Sequence, residues 1–116
     1  MAKFLAQCTD SAGEWRDDDG SVNITAASYE LSDGSTSDYN IVGFRFENVT
    51  VPQSATIRRA FIEVYGTNHT TNNGKNIEVS GEDADDSAAF TTTTNDVSNR
   101  TKTTARHDGG DFDVED

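Results

Sequence analysis

The sequence predicts an all-β fold of the sandwich class. Two observations carry this prediction: apolar and polar residues alternate with a period of two in several short segments, and turn signals separate those segments about every eight to twelve residues. The chain has 116 residues, a length typical of one domain. Because only 33% of the residues are hydrophobic, the core must be thin, and two packed layers are the most that it can support.

Five short segments have the composition of strands. They are residues 4–8, 22–24, 29–31, 41–51 and 77–79. The clearest is 41–51, where Val42, Phe44 and Phe46 share one face. Pro52 ends it, because proline has no N–H to donate to a strand ladder. These patterns predict the following core: Ile24, Leu31, Val42, Phe44, Phe46, Ile57, Ile62, Val64, Ile77 and Val79.

Segment 56–65 is compatible with two structures. Ile57, Ala60, Phe61 and Val64 fit one face of a helix, whereas Ala60, Ile62 and Val64 fit one face of a strand, so periodicity alone does not decide between them. Further on, a side chain at residue 95 or 96 is expected to cap a single helical turn that reaches residue 100.

The composition of the last part of the chain predicts where the domain ends. After residue 102 large apolar side chains recur only at Phe112 and Val114. The sequence therefore predicts a domain over residues 1–105, followed by an acidic tail over 106–116 that is flexible or held by another chain.

The charge of the chain limits its partners. The formal net charge is −12, and such a field repels phosphate backbones and anionic lipids, so neither nucleic acid nor a membrane surface is an expected partner. No apolar run approaches the ~18 residues of a membrane span. The first residues turn polar too soon for the core of a signal peptide. The acidity indicates a well-solvated surface, or else a surface that binds cations or a basic partner.

The residues that most catalysis requires are scarce. His69 and His107 are the only histidines, both in polar, loop-like stretches, and no G-x-S-x-G motif places a nucleophile near a base. Nucleotide-binding glycine motifs are missing as well. Cys8 is the only cysteine, so neither an intramolecular disulfide nor a structural zinc site is expected. The sequence therefore predicts a protein that is not an enzyme.

Two binding sites remain as hypotheses. Calcium prefers six to eight oxygen ligands, which the carboxylates of Glu82, Asp83, Asp85 and Asp86 would help to supply; a solvated acidic turn has the same composition. No other cofactor is expected. A glycan would instead stack on exposed aromatic rings, for which Trp15 and Tyr39 are the candidates, although a lone tryptophan is more often a core anchor.

Two blocks of sequence resemble a known family. VGFRFENVTVPQSATI (42–57), continuing to AFIEV (60–64), and GEDADDSAAFTTT (81–93), continuing to DVSNRTKTTA (96–105), are similar to DNRLRE-like β-sandwich modules of bacterial surface proteins and phage particle proteins. The blocks are framework and turn patterns, so they imply fold better than function. The resemblance implies a jelly-roll-like sandwich in which the Pro52 block turns between two core strands, and this favours a strand over 56–65.

The sequence departs from the family after residue 105. Family members usually continue into a strand that contains tryptophan, then a helix and a final strand. This chain instead continues from Arg106 and His107 into aspartate and glycine. The module is therefore expected to be incomplete at its C-terminus, so that either the chain is part of a longer one or another subunit supplies the missing strands.

These observations predict a non-enzymatic structural subunit of a bacteriophage particle. A capsid decoration, tail or fibre component is expected, located in the virion and assembled from other protein subunits, with homo-oligomers expected. The alternative is a carbohydrate-binding module of a bacterial surface protein, located outside the cell or on its surface.

Overall fold

The computed structural model describes residues 5–15, 19–29, 41–64 and 76–111. Five strands lie in these ranges: β1 (Cys8–Glu14), β2 (Val22–Asn23), β3 (Ile41–Phe46), β4 (Asn76–Glu82) and β5 (Lys102–Asp111). No helix occurs in the described ranges, and they therefore contain no helix that could cross a membrane. The all-β prediction is confirmed for this part of the chain.

The strands form two small antiparallel sheets. One has three strands in the order β2-β1-β3, and the other pairs β4 with β5. In the first sheet Gly13 lies opposite Val42, and in the second Val79 lies opposite His107. The described strands of one sheet have no Cα atom within 8 Å of the described strands of the other. Face-to-face packing of two sheets, which defines a sandwich, therefore stays a prediction.

The core is small and lies where the first sheet meets segment 90–97. Its buried apolar members are Ala12, Val22 and Val97, against which Ile24, Ile41 and Phe90 pack. Phe90 reaches this sheet at Gly43, where an added Cβ would stand 2.5 Å from the ring atom Cζ. A glycine at this position lets the ring lie directly on the backbone of β3.

Several residues that the pattern assigned to the core are exposed, and the prediction is wrong for them. They are Phe44, Ile57, Ile62, Val64 and Val79. Ile24 does contact the core, and Val42 and Phe46 are half-buried. Leu31 and the side chain of Ile77 lie outside the described residues. Alternation indicates which side chains share a face, but burial also needs a second layer on that face, and the described residues supply none for the exposed ones.

Strand boundaries also differ from the predicted ones. Strand β1 begins at Cys8, where the predicted strand ends, and β3 stops at Phe46, well before Pro52. Asn48 explains the early end of β3, since its φ of 56° lies in the left-handed region that a strand cannot use. Tyr29 belongs to no strand; its hydroxyl donates to the carbonyl oxygen of Ser11 at 3.1 Å.

The Pro52 block forms a turn, but no paired strand follows it. The amide of Ala55 donates to the carbonyl oxygen of Pro52 at 3.1 Å, and Ser54 has a φ of 67°. Residues 55–64 then form neither a helix nor a strand, and all are exposed. We call residues 55–64 the exposed strip. Neither the helix nor the strand considered for this segment is therefore present in residues 55–64.

The single turn expected near residue 95 is present, but the predicted cap at residue 95 or 96 is wrong, because the amides of residues 97 and 98 bind the carboxylate of Glu14 instead. The amide of Asn99 donates to the carbonyl oxygen of Asn95 at 2.9 Å, a spacing of four residues as in a helix. Strand β5 follows and continues to Asp111, which lies opposite Asn76. Residues 106–111 of the predicted tail thus pair with β4, while the domain boundary at 105 stays a prediction.

Candidate functional site

A polar cleft of about 570 Å³ opens where strand β3 ends and residues 83–89, which we call the acidic loop, pass beside it. Residues 45–50 line one wall and residues 84–87 line the other. Three carboxylates belong to the lining: Glu47 on the first wall, and Asp85 and Asp86 on the second. The volume falls in the range of about 300–1,000 Å³ that small ligands occupy. The cleft therefore has the size of a binding site, with an acidic character that favours a cationic occupant.

Arg45 fixes the two walls to each other. Its Nε donates to the carbonyl oxygen of Ser87 at 2.7 Å, which joins β3 to the acidic loop. Its Nη1 pairs with Oε1 of Glu47 at 2.5 Å. Because the guanidinium donates from several nitrogens in a fixed plane, one side chain holds both contacts at once. Arg45 is thus a structural member of the cleft and its charge is already compensated.

Arg100 holds the acidic loop at both of its ends. Its Nη1 donates to Oε2 of Glu82 at 3.0 Å and to the carbonyl oxygen of Ala88 at 2.8 Å. Its Nη2 donates to the carbonyl oxygen of Ala89 at 3.0 Å and to Oδ2 of Asp96 at 3.2 Å. The backbone carbonyls of a loop need hydrogen-bond donors, and this guanidinium donates to two of those carbonyls.

The surroundings of Arg100 stabilise its charge. Burial lowers the pKa of Arg100, but the hydrogen bonds and charges of Glu82 and Asp96 raise it more, so that the net pKa lies above its ordinary value. The guanidinium carbon also lies 4.4 Å from the centroid of the Phe90 ring, a cation–π distance. Arg100 therefore joins the acidic loop, the turn after it and the small core into one unit.

Two carboxyl groups of β1 bind the backbone of segment 90–98. Oδ2 of Asp10 accepts from the amide of Phe90 at 2.8 Å. Oε2 of Glu14 accepts from the amides of Val97 and Ser98, at 2.9 and 2.8 Å. Glu14 is fully buried, and its other oxygen, Oε1, accepts no hydrogen bond from the residues that the structure describes. The residues in these contacts are more than 75 positions apart in the sequence, so the contacts fix segment 90–98 to the first sheet.

The residues of the calcium hypothesis do not converge. Asp85 and Asp86 face the cleft, but Oε2 of Glu82 is taken by Arg100 and by the hydroxyl of Ser87 at 2.8 Å. Asp83 uses its backbone amide to bind the carbonyl oxygen of Thr101. Among the described residues, no group of three or more His, Cys, Asp or Glu side chains is placed to hold a metal ion. The geometry thus lends no support to the calcium site, which stays a prediction.

The two aromatic residues of the sugar hypothesis are not both described. Trp15 is half-buried, and its backbone exchanges hydrogen bonds with Ser21 and Gly20 in the turn after β1. Tyr39 lies outside the described residues. Trp15 is not among the residues that line the cleft. The sugar contact therefore stays a prediction.

Sequence reasoning missed the charged side chains that organise the site. Asp10, Glu14, Arg45 and Arg100 were not singled out, although each one holds a distant stretch of backbone. One signal was available for Glu14, which shares a strand face with Ala12 two residues earlier. A charged residue on the buried face of a strand predicts a specific partner, because a buried charge without one is costly.

Comparison with known proteins adds no relative. No protein-family model, no curated protein and no solved structure matches this chain. The resemblance to DNRLRE-like modules therefore stays a prediction that rests on the two sequence blocks alone.

Proposed function

We propose that this chain is a non-enzymatic structural subunit of a bacteriophage particle: a capsid decoration, tail or fibre component. Its β-sandwich would be completed when subunits of the same kind associate in the virion. The bacteriophage assignment rests on the sequence resemblance, whereas the role in assembly is supported by the surface of the described residues.

The exposed strip is the single observation that carries the proposal. Ile57, Phe61, Ile62 and Val64 are 67%, 75%, 54% and 55% exposed. Burying apolar surface stabilises a protein by about 25 cal/mol per Å², so four large side chains left in water within eight residues are unfavourable for an isolated molecule. Clustered exposed apolar side chains of this kind mark protein–protein contact surfaces.

The second sheet also supports a role in assembly. Strands β4 and β5 form a sheet of only two strands, and an isolated two-stranded sheet is marginally stable in water. Val79 of β4 is exposed on one face of it. A further layer of chain over this face would bury Val79 and would give the two layers of a sandwich.

Sedimentation velocity of the purified chain tests the role in assembly. We expect oligomers that form with increasing protein concentration, because a second chain would bury the apolar side chains of the exposed strip. A molecule that stays a folded monomer from micromolar to millimolar concentration would contradict self-assembly. Genes for capsid, portal or tail proteins beside its own would support the particle, whereas a neighbouring glycosidase domain would instead support the carbohydrate-binding module.

A further inference from the structure

The basic side chains that the structure describes divide into two groups. Arg45, Arg100, Lys102 and Arg106 each have a partner: Arg45 and Arg100 as described above, Lys102 at the carbonyl oxygen of Ser98 and Arg106 at Glu78. Arg58 and Arg59 make no hydrogen bond or ion pair with any residue that the structure describes. An adjacent pair of arginines without a partner among the described residues is unexpected in a chain of net charge −12.

The two arginines lie within the exposed strip. Ile57 precedes them and Phe61 follows shortly after, and all of these side chains are exposed. Ile57 thus lies before the two arginines in the sequence, and Phe61, Ile62 and Val64 lie after them, so exposed apolar side chains flank the pair on both sides. Such a surface offers apolar contact and guanidinium forks together, a combination suited to an acidic groove with an apolar rim.

The acidic cleft has the complementary features. Asp85 and Asp86 are exposed in its wall, and their carboxylates have no partner among the described residues. Val49, which is also part of the lining, is about half exposed and provides an apolar rim. Arg58 and Arg59 of the same chain do not line the cleft. Each molecule thus carries both halves of one contact, and the two halves are not joined within it.

We infer that Arg58 and Arg59 of one copy dock at Asp85 and Asp86 in the cleft of a second copy. The inference rests on the proposed role as an assembly subunit. It adds that the partner is a second copy of this chain and that the contact lies in the cleft. Guanidinium–carboxylate pairs form two parallel hydrogen bonds and give such a contact its register. A nucleic acid is a poorer occupant for the arginines, because the remaining surface of the chain repels it.

The contact joins two different surfaces, so it is heterologous. Each copy that accepts arginines in its cleft still presents its own arginines to the next copy. Contacts of this kind close into rings or continue as filaments. Rings and filaments are the forms from which tails, fibres and decorated shells are built, so the inferred contact agrees with the proposed function.

Charge reversal on each half tests the contact. We name the double substitution Arg58→Glu with Arg59→Glu the strip variant, and Asp85→Arg with Asp86→Arg the cleft variant. Each alone is expected to weaken self-association about tenfold or more, since it places like charges together. Their equimolar mixture is expected to associate again, because the intact arginines of the cleft variant meet the intact aspartates of the strip variant, and the reversed halves match as well.

The control is Asp83→Arg, a charge reversal in the same loop but outside the cleft lining. It is expected to change association less than about threefold, since a charge at the edge of a contact contributes little. Circular dichroism verifies that every variant keeps the β spectrum of the parent. If a reversal prevents folding, the neutral pairs Arg58→Gln with Arg59→Gln and Asp85→Asn with Asp86→Asn replace it.

The outcomes separate this inference from the proposed function. If the parent associates and both variants associate equally well, the strip and cleft contact is wrong while the assembly role stands. A mixture that stays monomeric when each variant is folded also overturns the contact. If the parent itself stays monomeric, both self-assembly and the contact are overturned.

Discussion

Replacing Arg100 with alanine is expected to lower the free energy of unfolding by about 3 kcal/mol. The side chain is only 12% exposed, and its loss leaves Glu82 and Asp96 without their cation and the carbonyls of Ala88 and Ala89 without a donor. Urea denaturation followed by tryptophan fluorescence gives the change.

The matched control is Arg106→Ala. Arg106 also pairs with a glutamate, Glu78, at 3.0 Å, but the two side chains are 54% and 53% exposed. Surface pairs of this kind contribute less than about 1 kcal/mol. Equal effects of the two substitutions would show that Arg100 does not hold the acidic loop in place.

Replacing Glu14 with alanine is expected to have an effect of similar size, also about 3 kcal/mol. Its Oε2 is the acceptor for the amides of Val97 and Ser98, and each buried donor left without an acceptor costs about 1–3 kcal/mol. Glu14→Gln keeps one acceptor oxygen at this position and should cost roughly half as much.

Exposed glutamate provides the comparison for Glu14. Glu78→Ala removes the same side chain from a solvated site of β4, and we expect a change of less than about 1 kcal/mol. If Glu14→Ala is as mild as Glu78→Ala in the same denaturation assay, then the hydrogen bonds from β1 do not anchor segment 97–98.

The all-β character of the described residues followed from local patterns, whereas the sandwich stays a prediction. Alternation in Val42, Phe44 and Phe46 predicted strand β3, and the polar segments between strands predicted turns. The turn at Pro52 and the single turn after residue 95 were also readable, since proline, serine and asparagine favour these conformations for local reasons. Local preference acts over a few residues, which is why these features are visible in a sequence.

The packing and the site could not be predicted in the same way. Phe90 packs on Gly43, and Glu14 binds the backbone of Val97, although each pair is far apart in sequence. No period or spacing links such residues. The same reason explains the wrong core prediction: Ile62 and Val64 have a strand pattern, but burial depends on a partner layer that the pattern does not name.

The sequence predicted only one of the two walls of the cleft. Asp85 and Asp86 were singled out as calcium ligands because of their acidity, and the structure places both in the cleft wall. Glu47 was not connected with them, since it follows directly after β3 and lies on the opposite wall of the cleft. Arg58 and Arg59 stood out only when the partners of the other basic side chains were known.

Hydrogen–deuterium exchange at two protein concentrations tests the central claim that a second copy covers the exposed strip. At low concentration we expect fast exchange of the amides of 55–64, which form no strand, and slow exchange of the amides of Val97 and Ser98, which bind Glu14. At high concentration the amides of the exposed strip should become protected while those of Val97 and Ser98 stay unchanged. Slow exchange of 55–64 in dilute samples that sediment as monomers would contradict the account.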